Sequence, residues 1–363
     1  MALIDEITNH LGPNHKPELE PYIKATEITL GSELINDDPV ITLNGTRICS
    51  QGGLMFIVAP PGSGKSQLCE MVAGRFLNPY CDAINLKIDL PESKKCLLLD
   101  TERTRNDCIK GFQRIIKRVD TQTNPELIEG DRLRGFSFLS LKGIAKIENR
   151  KSEVEKWLKV NECGLVIVDC STDFIANIND PTESVETVAW LDSLATQHNL
   201  ALVATIHDNP KDHTGKPRGH FGSEAYRKCE SMFHLRRETQ DKSIRTLTTE
   251  FEHGKVRNAM DSVGASFTWS NEAGMFMPVD YDPPKRSGKS VDYEENFYDT
   301  FQALGRSRLS HKTLLDKYME LFGKAERTAK RHIADAKKEE ILSIQNGLYY
   351  MPGKDLDKVT MPF

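Results

Sequence analysis

Residues 54–76 read LMFIVAPPGSGKSQLCEMVAGRF, and this stretch decides how the rest of the chain is read. An apolar run, Leu54–Val58, stops at a Gly/Pro-rich loop, and an amphipathic helix follows from Lys65. In that context the loop from Ala59 to Ser66 predicts a phosphate cradle. Gly62 and Gly64 carry no Cβ, so backbone N–H groups can turn toward an anion at the positive end of the helix. Lys65 is placed to reach the β- and γ-phosphates and the Ser66 hydroxyl to sit on a metal ion. Pro61, Ser63 and Gln67 complete the expected nucleotide contacts. Ala59 stands where the pattern has its first glycine. The expected cofactors are ATP and Mg²⁺, and the expected chemistry is hydrolysis.

Working outward, apolar runs and helical stretches alternate. Strands are predicted at Lys95–Asp100, Phe136–Leu141, Leu165–Asp169 and Ala201–Ile206, and helices from about Thr104, across Ile144–Val160 and near Val185–His198. Such alternation predicts an α/β fold with a mostly parallel sheet covered on both faces. Later strand-like pieces without helices, among them Ser231–Leu235 and Ser243–Glu250, predict an antiparallel extension at one edge.

Two of these strands end in acids. Asp169 closes a buried run, where a carboxylate would hold the Mg²⁺ water shell together with Ser66. Asp100-Thr101-Glu102 closes another, and Glu102 is the candidate to polarise the attacking water. Asp100 in that role, or an acid that only caps the next helix, fits the same pattern. Ala201–Ile206 delivers His207 to the same edge, as a sensor of the terminal phosphate or as a loop histidine without a role.

The chain has 363 residues, enough for a large α/β domain and a small second one. Its formal net charge of −5 argues against coating nucleic acid by bulk electrostatics. Basic residues weigh more heavily after Tyr281, so any contact through charge is local. Eight cysteines without a C-x-x-C pair read as reduced thiols. The absence of a long apolar span or a signal-like start predicts a cytoplasmic protein with no membrane partner.

The expected organisation is an irregular arm (1–39), the ATPase domain (40–280), a linker (281–292) and a small domain (293–363). The small domain is predicted as three helices, near Tyr293–Leu304, Ser310–Leu321 and Ala325–Leu342, followed by a hairpin at Asn346-Gly347. This is a winged-helix outline. Lys324 in the turn before its third helix, and Arg327, Lys330 and Arg331 on that helix, are candidates for nucleic-acid contact, against the reading of a protein-contact module.

With the phosphate loop, Glu102, Asp169 and His207 in this order, residues 40–280 resemble the RecA-like ATPases, and within them the hexameric helicases of the DnaB and plasmid RepA type. The resemblance implies a catalytic base at Glu102 and a polar sensor at His207, where many members carry glutamine. It also implies a Lys-x-Arg pair at Lys255 and Arg257 that enters a neighbouring subunit's nucleotide site. Arg218-Gly219-His220-Phe221-Gly222-Ser223, with Lys211 and Lys216, resembles the mobile segment facing a central channel, which makes Arg218 and His220 candidate contacts to single-stranded DNA. The arm is too short for the separate helical domain of the DnaB type. The implied function is a ring-forming motor on single-stranded nucleic acid. An ATP-switched DNA-binding or regulatory protein, or a signalling ATPase with a protein partner, fits the same core motifs.

Overall fold

The computed structural model describes residues 39–81, 84–209, 215–239, 241–257, 259, 262–281 and 293–354. The expected arm apart from Pro39, the linker apart from Tyr281, and Lys211 and Asn258 lie outside these residues. The chain divides into two compact units, Met1–Asp280 and Tyr281–Phe363.

The first unit opens with β1 (Pro39–Leu43) and β2 (Thr46–Ser50), which with β4 (Leu86–Ile88) form a small antiparallel sheet in the order β2-β1-β4. Among the described residues the main sheet has ten strands. Its parallel part holds β3 (Leu54–Ala59), β5 (Lys95–Asp100), β8 (Phe136–Ser140), β9 (Cys163–Asp169), β10 (Ala201–His207) and β11 (Ser231–Arg237) in the order β11-β3-β10-β9-β5-β8. Beyond β11 the sheet continues antiparallel through β12 (Ile244–Thr248), β14 (Gly264–Ser270) and β15 (Met275–Pro278), while β13 (Lys255–Val256) pairs with the start of β11. Between β5 and β8, β6 (Ile128–Glu129) and β7 (Arg132–Leu133) make a small hairpin. The α/β fold, the mostly parallel sheet and its antiparallel extension are as expected.

Strand β3 shows why the sequence settles here. Met55, Ile57 and Ala59 point into one core and Leu54, Phe56 and Val58 into the other, so the strand is apolar at every position because both faces are covered. Helices α1 (Lys65–Leu77) and α2 (Arg105–Val119) cover the first face. Helices α3 (Ile147–Val160), α4 (Pro181–Gln197) and α5 (Gly219–Lys228) cover the second, through residues such as Val154, Leu191 and Phe221. Thr104 and Asp180 cap α2 and α4 by accepting from the N–H groups of Asp107 and Glu183.

In the first unit two stretches differ from the sequence reading. Residues 219–223 open helix α5 rather than forming a flexible segment. Their glycines serve close packing, since a Cβ on Gly219 would meet the Ile178 carbonyl at 2.5 Å and one on Gly222 would meet Pro217 at 2.5 Å. The strand expected at Ser243–Glu250 runs only from Ile244 to Thr248.

In the second unit α6 (Tyr293–Leu304), α7 (His311–Phe322) and α8 (Glu326–Lys338) pack around Phe297, Phe301, Tyr318 and Ile333. Strands β16 (Leu309–Ser310), β17 (Ser343–Gln345) and β18 (Leu348–Tyr350) form an antiparallel sheet in the order β16-β18-β17. Asn346 and Gly347, at φ 52° and 77°, make the turn, as the Asn-Gly pair predicts. Helix α8 ends earlier than expected because Glu340 takes φ 59°, and the chain folds back with the Ile341 and Leu342 N–H groups donating to the Ala336 carbonyl.

Beneath the carboxyl edge of the main sheet, Glu70 of α1 is 3% exposed and joins two arginines, Arg103 at 2.6 Å and Arg114 at 2.7 Å. Removing the carboxylate takes from Arg114 the carboxylate it pairs with and leaves Arg103, itself partly buried, with Asp100. Glu70→Ala is expected to cost about 3 kcal/mol of unfolding free energy, read as a lower urea midpoint for the first unit with that of the second unchanged.

Candidate active site

Strand β3 runs out at Ala59, and the loop turns through Gly62 (φ 71°) and Gly64 (φ 100°) into α1. Gly64 is required twice over: its φ is left-handed, and a Cβ there would meet the Phe276 ring at 2.7 Å. No side chain caps α1 and its first turn carries no acid, so its leading N–H groups face the cavity unspent. Pro61, Gly62, Ser66 and Gln67 line that cavity of about 790 Å³, and Gln67 Oε1 is buried with no hydrogen-bond partner among the described residues. Ser63 turns the other way. Its hydroxyl donates to the Pro60 carbonyl at 2.8 Å, and its own carbonyl accepts from Arg245 Nε at 3.0 Å.

Register brings the strand ends level. Ala59 lies opposite His207, and Asp100 opposite Asp169. Asp100 is fully buried, accepts from the N–H groups of Glu102 (3.1 Å) and Arg103 (2.8 Å), and pairs with the Arg103 guanidinium. It is the structural acid of the pair. Glu102, with its side chain 45% exposed, faces the cavity instead.

Lys65 Nζ donates to the carbonyls of Ala59 (3.0 Å) and Pro60 (3.2 Å) and meets His207 Nδ1 at 3.2 Å. Burial holds the amine below its ordinary range, against the opposing pull of Glu102 and Asp169. An ammonium can only donate, so Nδ1 accepts and Nε2 carries the ring proton, which it donates to Glu102 at 3.0 Å. That hydrogen bond is the main reason the Glu102 carboxyl is lowered to about 2. The site is therefore a chain in which Lys65 donates to His207 and His207 to Glu102. Cys170, at φ 73°, adds its thiol 3.8 Å from His207 Nε2.

Asp169 is 3% exposed, and burial raises it to about 6 although the Ser66 hydroxyl and Arg103 favour the charged form. Thr205 Oγ1 donates to it at 3.3 Å. A buried carboxylate with an unmet electrostatic need, beside a hydroxyl and below an anion cradle, is an oxygen donor set that suits Mg²⁺. Ser66 and Asp169 would hold the ion through its waters, where it would neutralise phosphate charge.

The cavity wall contains residues without a local sequence signal. Arg103 and Arg114 come from β5's exit and α2, and Arg245, Trp269 and Phe276 from the antiparallel extension. Arg245 stacks over Phe276 at 5.6 Å.

Other candidates lie elsewhere. Arg218 and His220 are exposed at the start of α5, and the Arg218 N–H donates to the His207 carbonyl at 3.3 Å, which ties them to the same edge. Lys255 lies opposite Met232, which lies opposite Phe56, so the Lys-x-Arg pair sits toward the amino end of β11 and away from this chain's own loop. Lys255 Nζ donates to the Tyr226 carbonyl at 2.5 Å and Arg257 to that of Lys228 at 3.1 Å, both at the end of α5. In the second unit Lys324, Arg327, Lys330 and Arg331 are exposed, with Lys330 paired to Glu326 at 2.6 Å, while Ala329, His332, Ile333 and Ala336 form the buried face of α8.

No family model and no curated protein matches this chain. Among solved structures, the crystal structure of the RadB recombinase is similar at 19% identity, with a TM-score of 0.44, over 66% of this chain and 95% of that one. Among the described residues no helix is long and apolar enough to cross a membrane.

Asp169 gives the site a pH signature. Its carboxyl has an ordinary value of 3.8 and sits at about 6 when folded, so the nucleotide-free fold is favoured below about 4 and loses that advantage as pH rises through 6. Asp169→Asn is expected to stabilise the nucleotide-free protein at pH 7 by roughly 1–3 kcal/mol. The gain shrinks to nothing near pH 4, and urea titrations at the two pH values measure both.

Proposed function

We propose that this protein is a RecA-like, Mg²⁺-dependent ATPase that works as a motor on single-stranded nucleic acid, as a ring-forming DNA helicase with a winged-helix-like second domain. The observation that carries the ATPase reading is the hydrogen-bonded chain from Lys65 through His207 to Glu102 at the mouth of the phosphate loop.

In this reading the α1 N–H groups and Lys65 bind the phosphates, and Arg103 holds the buried carboxylates in place. Glu102 takes a proton from the attacking water as the water oxygen bonds to the γ-phosphorus and the bond to the bridging oxygen breaks. A carboxylate lowered to about 2 is a poor base. Turning Lys65 to the phosphates frees His207 Nδ1, and the ring can then leave Glu102 for the terminal phosphate. The chain thus acts as a safety catch while no nucleotide is bound. His207 passes its position to α5 through the Arg218 N–H, and the exposed Arg218 and His220 beside this relay could grip a phosphate backbone.

The placement of Lys255 and Arg257 away from their own loop supports a role at a neighbouring subunit's site. Both would have to leave the α5 carbonyls on assembly. The exposed basic face of α8 supports nucleic-acid contact by the second unit, which equally suits an ATP-switched DNA-binding protein.

ATP turnover measured with and without single-stranded DNA, together with strand displacement on forked duplexes, decides between these. The motor reading expects stimulated turnover and unwinding. Turnover indifferent to DNA, with no displacement, sinks it and leaves the ATP-switched reading. Lys65→Ala is expected to lower turnover by roughly 10²- to 10³-fold, and Arg257→Ala by about 10³-fold. Full turnover by dilute monomer would remove Arg257 from the site.

For the second unit, Arg327→Ala with Arg331→Ala in the full chain is expected to weaken duplex binding and to flatten the dependence of log affinity on log salt by about 1–2. An unchanged slope in a salt titration would exclude phosphate contact by this face.

A further inference from the structure

Three side chains at the candidate site form a donor set that hydrolysis does not call for. We propose that Glu102, Cys170 and His207 bind a soft divalent cation of the zinc class, and that this cation shuts the hydrolytic site. The binding stands on the donor geometry alone, whereas the shut-off rests on the proposed role of Glu102.

Each donor comes from the carboxyl end of a different neighbouring strand: Glu102 after β5, Cys170 after β9, His207 at the end of β10. Their ligand atoms, one carboxylate oxygen, one thiol sulfur and one imidazole nitrogen, all lie within 4.8 Å of one another. His207 Nε2 is 3.0 Å from Glu102 Oε1 and 3.8 Å from Cys170 Sγ. A tetrahedral cation with bonds of about 2.0–2.3 Å holds its ligands roughly 3.2–3.8 Å apart; both His207 separations lie close to that range and the third stays within 4.8 Å, so the set closes on it with side-chain movements of about 1 Å or less. In the cation-free site, Lys65 at Nδ1 holds the ring so that Nε2 faces the other two donors. Glu102 and His207 also line the cavity.

Donor type separates this set from the one formed by Ser66 and Asp169. Thiolate and imidazole favour zinc and its neighbours, whereas Mg²⁺ favours oxygen. Binding displaces the Cys170 thiol proton to solvent. The ring proton moves from Nε2 to Nδ1, and Lys65, itself a donor, gives up the ring for the Ala59 and Pro60 carbonyls it already bonds. One proton is released per cation. Glu102 and His207 are then ligands, so the base and the sensor are withdrawn together and excess Mg²⁺ does not restore them.

The test uses the full chain, free of nucleotide and Mg²⁺, with Co²⁺ as the spectroscopic probe. One Co²⁺ per chain is expected to give tetrahedral visible absorption and a thiolate-to-cobalt charge-transfer band, both removed by added Zn²⁺. Cys170→Ser and His207→Ala should lose the band, and Cys108→Ser, a buried cysteine near the same edge, should keep it. In turnover assays at saturating Mg²⁺, Zn²⁺ at tenfold its dissociation constant should lower the rate about tenfold. A chelator should restore it, and Cys170→Ser should require at least tenfold more Zn²⁺ for the same loss. Absence of the band, or its survival in a Cys170→Ser protein that still unfolds cooperatively, overturns the site whatever turnover does. A Cys170-dependent band with turnover indifferent to Zn²⁺ leaves the cation site standing and removes Glu102 from the hydrolytic reading.

Discussion

The lateral register of four parallel strands governs everything at the candidate site. Hydrogen bonding sets Ala59 level with His207 and Asp100 level with Asp169, so two acids are driven together where the sheet ends. Such crowding is costly in a low-dielectric interior unless a cation shares it. Arg103 does this by reaching Asp100 and Glu70 directly and Asp169 at 3.8 Å, and Arg114 takes up the second oxygen of Glu70. With Asp100 consumed in that network, Glu102 is the acid left to face the cavity. The division of labour between the two carboxylates is thus an outcome of backbone register.

A second consequence is that the resting site is internally satisfied. Lys65 spends its donors on two carbonyls and a histidine, and Glu102 is held by the same ring. A ligand must offer more than these contacts before it can rearrange them.

Much of this was legible in the sequence. The phosphate loop, the helix after it and the strands ending in Asp100, Asp169 and His207 have short-range signatures, because a strand buried on both faces is apolar at every position and the acid that ends it stands out. The Asn346-Gly347 turn was equally plain. What escaped depends on contacts distant in sequence. Arg103, Arg114, Arg245 and Phe276 look like ordinary surface or edge residues until the fold brings them to one wall. The glycines of residues 219–223 carried a misleading local signal. They read as mobility, yet they let α5 lie against Ile178 and Pro217. The end of α8 was misplaced because nothing local marks Glu340 as left-handed.

Phe276 packs on Gly64 from the last hairpin of the first unit, and that hairpin is tied down by Arg118 on the Phe276 carbonyl and Lys117 on the Ala273 carbonyl at 2.7 Å. The loop that opens the domain is therefore walled by the residues that close it. During synthesis a nascent chain displays this complete loop some two hundred residues before the aromatic wall emerges, so the loop reaches its packed form only when the whole domain, rather than its first half, has been made.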